Sequence, residues 1–373
     1  MFTQKVVIAG LILLTLRACA FAQNNPDDPY VILNNYFKAM GGLDRLKAEQ
    51  SSYFEAEISF GGFEGTLKIW EQQPGYSRYE VDLGIFNVLQ GKNDKYEWTL
   101  DQNGKLQKTT NFDDVTIKRK DIKKRIEKFE YANPKSEIFK VTYEGVQAVD
   151  GKDCYVIKIA NNICWDNLTY FINADNYMLE KSISIEGTES NDAFYSDYRE
   201  IDGLMVAYSY REIVHKTGQD QVIYITKYLS NPKIDSVVFE APDVSSKDYR
   251  FENGNSSENI PIRFVEEHIY VPVIIDCRET IWVLDTGSGL SFITEKLTNA
   301  LGLDLQGEIK GAGAGGLVDV HFTTLPSFNI PGVIFDEQTV GVMNLDELNK
   351  MLPLEIDGIL GYDFLSRFVT KVD

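Results

Sequence analysis

The sequence predicts a mainly β protein built in two units, and three observations carry that prediction. From Ser52 to Glu240 the text alternates apolar and polar residues in short runs broken by turn residues, the period-two signature of strands with one solvated face. Aromatic residues make up 12% of the 373 residues, with 20 Tyr and 21 Phe, a composition that favours pleated sheet over helix. A polar stretch, "APDVSSKDYRFENGNSSENIP" from Ala241 to Pro261, then interrupts the pattern and reads as an interdomain linker. The length suits two domains, and 43% hydrophobic residues suffice for real cores.

The first 22 residues read as an export signal rather than as part of either unit. Lys5 supplies the positive end, Val6 to Leu16 is apolar or small, and Ala20-Phe21-Ala22 fits a cleavage site before Gln23. The apolar run is too short to span a bilayer. Processing as a lipoprotein at Cys19 is the alternative, with Arg17 placed badly for it. Either route takes the protein out of the cytoplasm, to a periplasmic, extracellular or envelope-associated location. In that compartment Cys154 and Cys164 are expected either to pair across a hairpin or to stay as free thiols. His215, His268 and His321 are scattered, so no metal and no cofactor are expected.

The formal charge is 37 − 56 = −19, which argues against nucleic acid as a partner. One basic run, "KRKDIKKRIEK" from Lys118 to Lys128, stands out; Ile122, Ile126 and Phe129 at i, i+4 and i+7 make it an amphipathic helix with a solvated basic face. Residues 262–373 hold 7 Lys and Arg against 17 Asp and Glu, so 7 − 17 = −10 of the charge lies in the smaller unit.

The N-terminal unit, residues 23–240, opens on "DPYVILNNYFKAMGG". Asp28 caps a helix, Pro29 suits its first turn and Gly41-Gly42 stops it, and Asp44 starts a short second helix. Strands such as "YFEAEISF", "GTLKIWEQ", "CYVIKIA" and "QVIYITKYLS" follow, with "QNGK" and "NADN" as turns. So many sequential strands imply a large curved antiparallel sheet or open barrel. "AMGGLDRLKA", the W-x-x-D-x-N-G run from Trp98 to Gly104 and the hairpin "GKDCYVIKIA…TYFINADNYMLEK" resemble the periplasmic lipoprotein-carrier family. The resemblance implies a sheet wrapped over helices and a lipid or lipoprotein as ligand, and no chemistry of its own.

The C-terminal unit, residues 262–373, carries the reactive motif. "IWVLDTGSGLSFIT" is an apolar strand, an Asp-Thr-Gly-Ser turn and a second apolar strand. Alone, the tetrapeptide is an ordinary β-turn with Asp as a local acceptor. Leu360 of the triplet Ile359-Leu360-Gly361 lies 360 − 285 = 75 residues after Asp285. Together the two motifs resemble the retropepsin-like aspartic proteases, and the resemblance spans essentially the whole unit.

It implies a closed acid-protease-like β-barrel and peptide-bond hydrolysis with Asp285 as the catalytic carboxylate. Thr286 would lock two turns across the dyad, Gly287 would admit a close backbone, and Ser288 would hold an outer carboxylate oxygen. Ile359, Leu360 and Gly361 would pack beneath the turn. "GAGAGG" formally matches the G-x-G-x-x-G nucleotide fingerprint, but strand-like "LVDVHFTTL" follows it where a helix would be needed. It is therefore a hairpin tip or a plain exposed loop. The resemblance makes Gly311, Gly313, Gly315 and Gly316 a flap over a peptide or protein substrate.

This chemistry needs two carboxylates, and the chain has one Asp-Thr-Gly. Asp357 and Asp363 lie outside any such turn and read as capping or surface residues. The resemblance supplies a homodimer in which each copy gives one Asp285. The family's pattern continues with a terminal strand where this sequence stops at "FVTKVD", so Asp373 reads as an early end or a truncation, which bears directly on dimerisation. The competing expectation is an envelope lipid- or lipoprotein-binding protein with an inactive protease-like domain.

Overall fold

A computed structural model describes residues 28–244, 247–313 and 316–371. The expected leader, its cleavage site, Cys19, Gly315 and Asp373 lie outside the described residues. The protein is mainly β, with two large sheets and six α-helices among the described residues.

The chain enters through α1 (Pro29–Ala39) and α2 (Leu43–Ala48), and the Asp28 side chain accepts from the Tyr30 N–H to cap the first. A meander follows: β1 (Ser51–Phe60), β2 (Phe63–Gln72), β3 (Tyr76–Asp82), β4 (Asn87–Lys92), β5 (Glu97–Leu100) and β6 (Leu106–Thr109). Helix α3 (Asp114–Glu127), capped by Asp113, then crosses to a second meander. That meander is β7 (Phe139–Val149), β8 (Lys152–Asn161), β9 (Asn167–Asn173), β10 (Leu179–Glu186), β11 (Glu189–Ile201), β12 (Leu204–Val214) and β13 (Gln219–Ser230). Antiparallel pairing of β1 with β13 joins the halves into one 13-stranded sheet with β6 and β7 at its ends.

One face of this sheet closes over α1, where Ile32, Leu33, Phe37 and Met40 are buried against Ile157, Ile159 and Tyr170. The alternation read from the sequence follows from that packing, because every second residue meets the helix layer. Cys154, Cys164 and Cys277 are free thiols. Cys154 is buried in β8, and burial pushes its thiol up to about 11.

The C-terminal sheet is formed by β14 (Tyr249–Phe251), β15 (Arg263–Val265), β16 (His268–Ile275), β17 (Arg278–Leu284), β18 (Phe292–Thr294), β19 (Gln306–Gly313), β20 (Gly316–Leu325), β21 (Phe328–Ile330), β22 (Val333–Phe335), β23 (Gln338–Met343) and β24 (Gly358–Leu360). Three short helices, α4 (Glu295–Leu301), α5 (Asp346–Met351) and α6 (Tyr362–Leu365), lie between or after its strands. The strand path runs from β14 to β19 and has two ends, so among the described residues it is an open path rather than a ring.

The stretch expected to be a linker is in part sheet. Tyr249 to Phe251 pair with Val333 to Phe335, and their rings cluster with Phe335 and Phe368. Polar neighbours disguised the strand: Asp248 is not free linker charge but an ion-pair partner of the nearly buried Arg367.

The two units share a core. Val320 and Phe322 of β20 are buried among Ile58, Phe63, Leu67 and Tyr208 of the first sheet. The Phe322 ring lies 5.9 Å from Phe63 and 5.4 Å from Phe86, centroid to centroid. The Glu308 N–H donates to the Gly61 carbonyl at 2.6 Å.

A second joint uses the W-x-x-D-x-N-G loop. Asn103 Nδ2 donates to the Thr339 carbonyl at 2.9 Å, and its Oδ1 accepts from the Thr339 N–H at 2.8 Å. Burial here raises the Asp101 carboxyl and lowers the Lys105 ammonium from their ordinary values. Asn103→Ala leaves both Thr339 groups unpaired in a buried place and is expected to cost about 1–3 kcal/mol, read from the midpoint of chemical denaturation.

Candidate active site

Asp285 stands at the C-terminal end of β17, and the strand beside it comes from far along the chain. β24 lies parallel to β17, pairing Trp282 with Gly358, Val283 with Ile359 and Leu284 with Leu360. On its other side β24 runs antiparallel to β18. Thus β24 threads between two strands that are consecutive in sequence.

The threading explains the residue types. Strand β24 is buried at all three positions, so Ile359 and Leu360 are apolar. Where it leaves the sheet it crosses under the turn, and a Cβ on Gly361 would sit 2.3 Å from the Leu290 carbonyl oxygen. Only glycine lets the two backbones pass there.

The turn itself is tightly made. The Asp285 N–H donates to the Leu360 carbonyl at 3.0 Å, and the Ser288 N–H to the Asp285 carbonyl at 3.3 Å. Asp285 Oδ1 accepts from the Gly287 N–H at 2.8 Å. This aims the carboxylate outward; Asp285, Thr286 and Gly287 are exposed. In the single chain the carboxylate is therefore solvated and carries none of the desolvation cost that an apolar strand end suggests. The Thr286 hydroxyl has no hydrogen-bond partner among the described residues.

Ser288 departs from its expected role. Its hydroxyl donates to the Leu290 carbonyl at 2.6 Å, and its own carbonyl accepts from the Tyr362 N–H at 2.7 Å. A hydroxyl has one proton, so this arrangement cannot also serve the outer oxygen of Asp285. Ser288 ties the turn to the segment beneath it instead.

Two residues matter here that the sequence reading passed over or misplaced. Ser291 Oγ donates to Asp363 Oδ1 at 2.8 Å and accepts from the Gly361 N–H at 3.0 Å. Asp363 is 8% exposed and accepts also from the Phe364 N–H, so it is a buried brace rather than a surface residue. Asp357 accepts from the Ile281 N–H at 3.0 Å, pinning the entry of β24. Neither carboxylate is committed to Asp285. The pairing of Ser291 with Asp363 spans 72 residues and leaves no local signal.

The glycine-rich segment is a hairpin: β19 and β20 pair in register down to Gly313 opposite Gly316. Gly311 faces Val320 closely, and Gly316 has φ +114°, which favours glycine. Leu317 beside the tip is 52% exposed. Among the described residues no group of three His, Cys, Asp or Glu side chains is placed to hold a metal.

The first unit holds a cavity of about 820 Å³ between its sheet and α3. Its inner wall includes Tyr131, Tyr170, Tyr195 and Ile122, and its mouth includes Lys92, Lys120 and Glu97. Burial raises the phenols of Tyr131, Tyr170 and Tyr195, so the wall stays neutral.

An outward-facing Asp-Thr-Gly-Ser turn braced by a threaded strand defines an aspartyl-protease-like unit. Residues 271–364 match the family model described as Aspartyl protease. Among solved structures, the chain is similar to a retropepsin-like aspartic protease from Rickettsia conorii, at 24% identity over 29% of this chain and 86% of that one, TM-score 0.23. It is also similar to a DUF1329 family protein from Desulfovibrio piger, at 16% identity over 57% of this chain and 98% of that one, TM-score 0.37. A LolA superfamily protein from Nitrosomonas europaea matches at 9% identity over 55% of this chain and 96% of that one, TM-score 0.37. No curated protein matches the chain.

Proposed function

We propose that the chain is an exported aspartic endopeptidase that works as a homodimer, residues 23–240 forming a carrier-like domain and 262–373 the protease domain. The observation that carries this reading is the solvated Asp285 carboxylate in a turn fixed by backbone hydrogen bonds to Leu360 and Gly287. Two such turns facing each other across a two-fold axis would place two carboxylates together, with Thr286 of each available to the other copy. Two like charges that close share one proton. The ionised member takes a proton from water, the water oxygen attacks the peptide carbonyl, and the protonated member gives its proton to the carbonyl oxygen. Collapse of the tetrahedral species returns a proton to the leaving amine.

The hairpin tip from Gly311 to Gly316 would fold over the bound peptide, and closure of the protease barrel would be completed in the assembled dimer. No bound group is required for this chemistry.

The test is cleavage of a mixed peptide library from acidic to neutral pH by the chain from Gln23 onward and by its Asp285→Asn form. The wild type is expected to cleave and the variant to lose at least about 10³-fold, the scale of general acid–base catalysis. Equal cleavage by both would remove Asp285 from the mechanism.

A second reading has its own support. The tyrosine-walled cavity of about 820 Å³ suits an acyl chain, so an envelope lipid- or lipoprotein-binding protein with an inactive protease-like domain is the alternative. Lipid co-purifying with a protein that cleaves nothing at any pH would favour it.

A further inference from the structure

The helix that crosses the cavity mouth carries a charge opposite to the rest of the chain. Lys118 to Lys128 contains seven cations and two carboxylates, 7 − 2 = +5, in a chain of −19, so the remainder stands at −24. A solvated face offset by local partners would be the ordinary explanation, and four of the cations fit it. Arg119 pairs with Asp166 at 3.2 Å, Lys123 with Glu186 at 2.8 Å and Lys120 with Glu97 at 2.8 Å, while Arg125 bridges Asp121 and Glu130. The first three of these pairs tie α3 to the sheet and its loops, at Asp166, Glu186 and Glu97.

The other three cations do not fit it. Lys118, Lys124 and Lys128 are exposed and form no ion pair with any described residue. Ile117, Lys124 and Lys128 fall at i, i+7 and i+11, one stripe of the outer helix face. Ile117, on that stripe, is 53% exposed. Next to Asp166, and so held against the same helix, Trp165 is 93% exposed. A tryptophan left in water on a short loop tied to α3, together with unpaired lysines and an exposed isoleucine on that helix, is the composition of a membrane-interface anchor.

We propose that α3 and the Trp165 loop dock the cavity mouth on the surface of an anionic phospholipid bilayer. Lys118, Lys124 and Lys128 meet lipid phosphates, and Trp165 and Ile117 enter the headgroup boundary. Nucleic acid offers the same phosphates without a hydrocarbon phase for Ile117 and Trp165, so the apolar members select the bilayer. The acidic remainder is repelled from the same surface, which orients the protein with this one face inward. The proposal stands whether or not the second unit cleaves peptides.

The experiment uses the chain from Gln23 onward, which retains every described residue and omits the apolar leader. It is sedimented with vesicles of phosphatidylcholine alone and of phosphatidylcholine mixed with phosphatidylglycerol. Binding is expected with the anionic vesicles only, to weaken with salt, and to shift tryptophan emission to the blue. Trp98 and Trp282 are buried and Trp70 is half-buried against Tyr53 in β2, so Trp165→Phe should remove most of the shift. Each lysine near an anionic surface is worth about fivefold in partitioning, so Lys118→Gln, Lys124→Gln and Lys128→Gln together should weaken binding on the order of a hundredfold.

The matching replacement of Lys296, Lys310 and Lys350, which are ion-paired in the C-terminal unit, should leave binding intact. Equal binding to both vesicle types, no binding, or indifference to the α3 lysines overturns the proposal. Displacement of the vesicles by duplex DNA, with no change in Trp165 emission, would assign the face to nucleic acid instead.

Discussion

Mixed with a tenfold excess of its own Asp285→Asn form, the wild-type chain is expected to lose about nine-tenths of its peptide cleavage, because random pairing leaves only about one wild-type chain in ten with a wild-type partner. The other acids near the turn are committed elsewhere. Asp363 is buried against Ser291 and the Phe364 N–H, and Asp357 holds the Ile281 N–H, so neither is available as a second catalytic group. A mixed dimer then has one carboxylate and one amide. The amide can donate a hydrogen bond to a peptide carbonyl but cannot release a proton, so the shuttle stops after its first step. Cleavage by the wild type alone should also fall faster than its concentration as the dimer dissociates. Activity that scales linearly with wild-type chain, untouched by the excess, would mean that one chain supplies both carboxylates and would sink the shared site.

The sequence made the turn legible because its cause is local. An apolar strand, an acid, a small-residue turn and a second apolar strand are contiguous, and each residue type answers to its own backbone environment. The alternation of the N-terminal strands is legible for the same reason, since one sheet face is covered, by α1 over β7 to β12 and by β20 over β1 to β3. The distant triplet was also readable, because full burial between β17 and β18 requires two large apolar residues and then a glycine where the backbones cross.

What was not legible has causes far apart in sequence. Ser288 donates to Leu290 rather than toward Asp285 because the turn is tied to the segment beneath it. Asp363 reads as a surface acid until Ser291 is brought to it by the threading of β24. Tyr249 and Phe251 sit in a polar stretch whose composition suggests a linker, and only the partner strand β22 reveals them as sheet. The +5 run on α3 is plain in the sequence, but which of its lysines lack partners depends on Glu97, Asp166 and Glu186, which the fold brings in from three other places.

The same distinction governs the hairpin that would cover the substrate. Free glycine-rich hairpins pivot at the base, but here the base belongs to the other unit's core. Phe322 is 1% exposed between Phe63 and Phe86, and a Cβ on Gly307 would sit 2.0 Å from the Phe63 ring. The base of β19 and β20 is thereby held against the N-terminal sheet. Phe322→Ala is expected to cost about 3–5 kcal/mol, the range for deleting a fully buried phenyl ring, and to release β19 and β20 from hydrogen-exchange protection before the N-terminal strands lose theirs. Phe335→Ala supplies the contrast: it empties an equally buried position inside the C-terminal core alone. A similar loss of stability there, without early exposure of the hairpin amides, separates anchoring from general weakening. If both variants expose the hairpin alike, the N-terminal sheet does not hold it, and the coupling of the two units must rest on Asn103 and Thr339 instead.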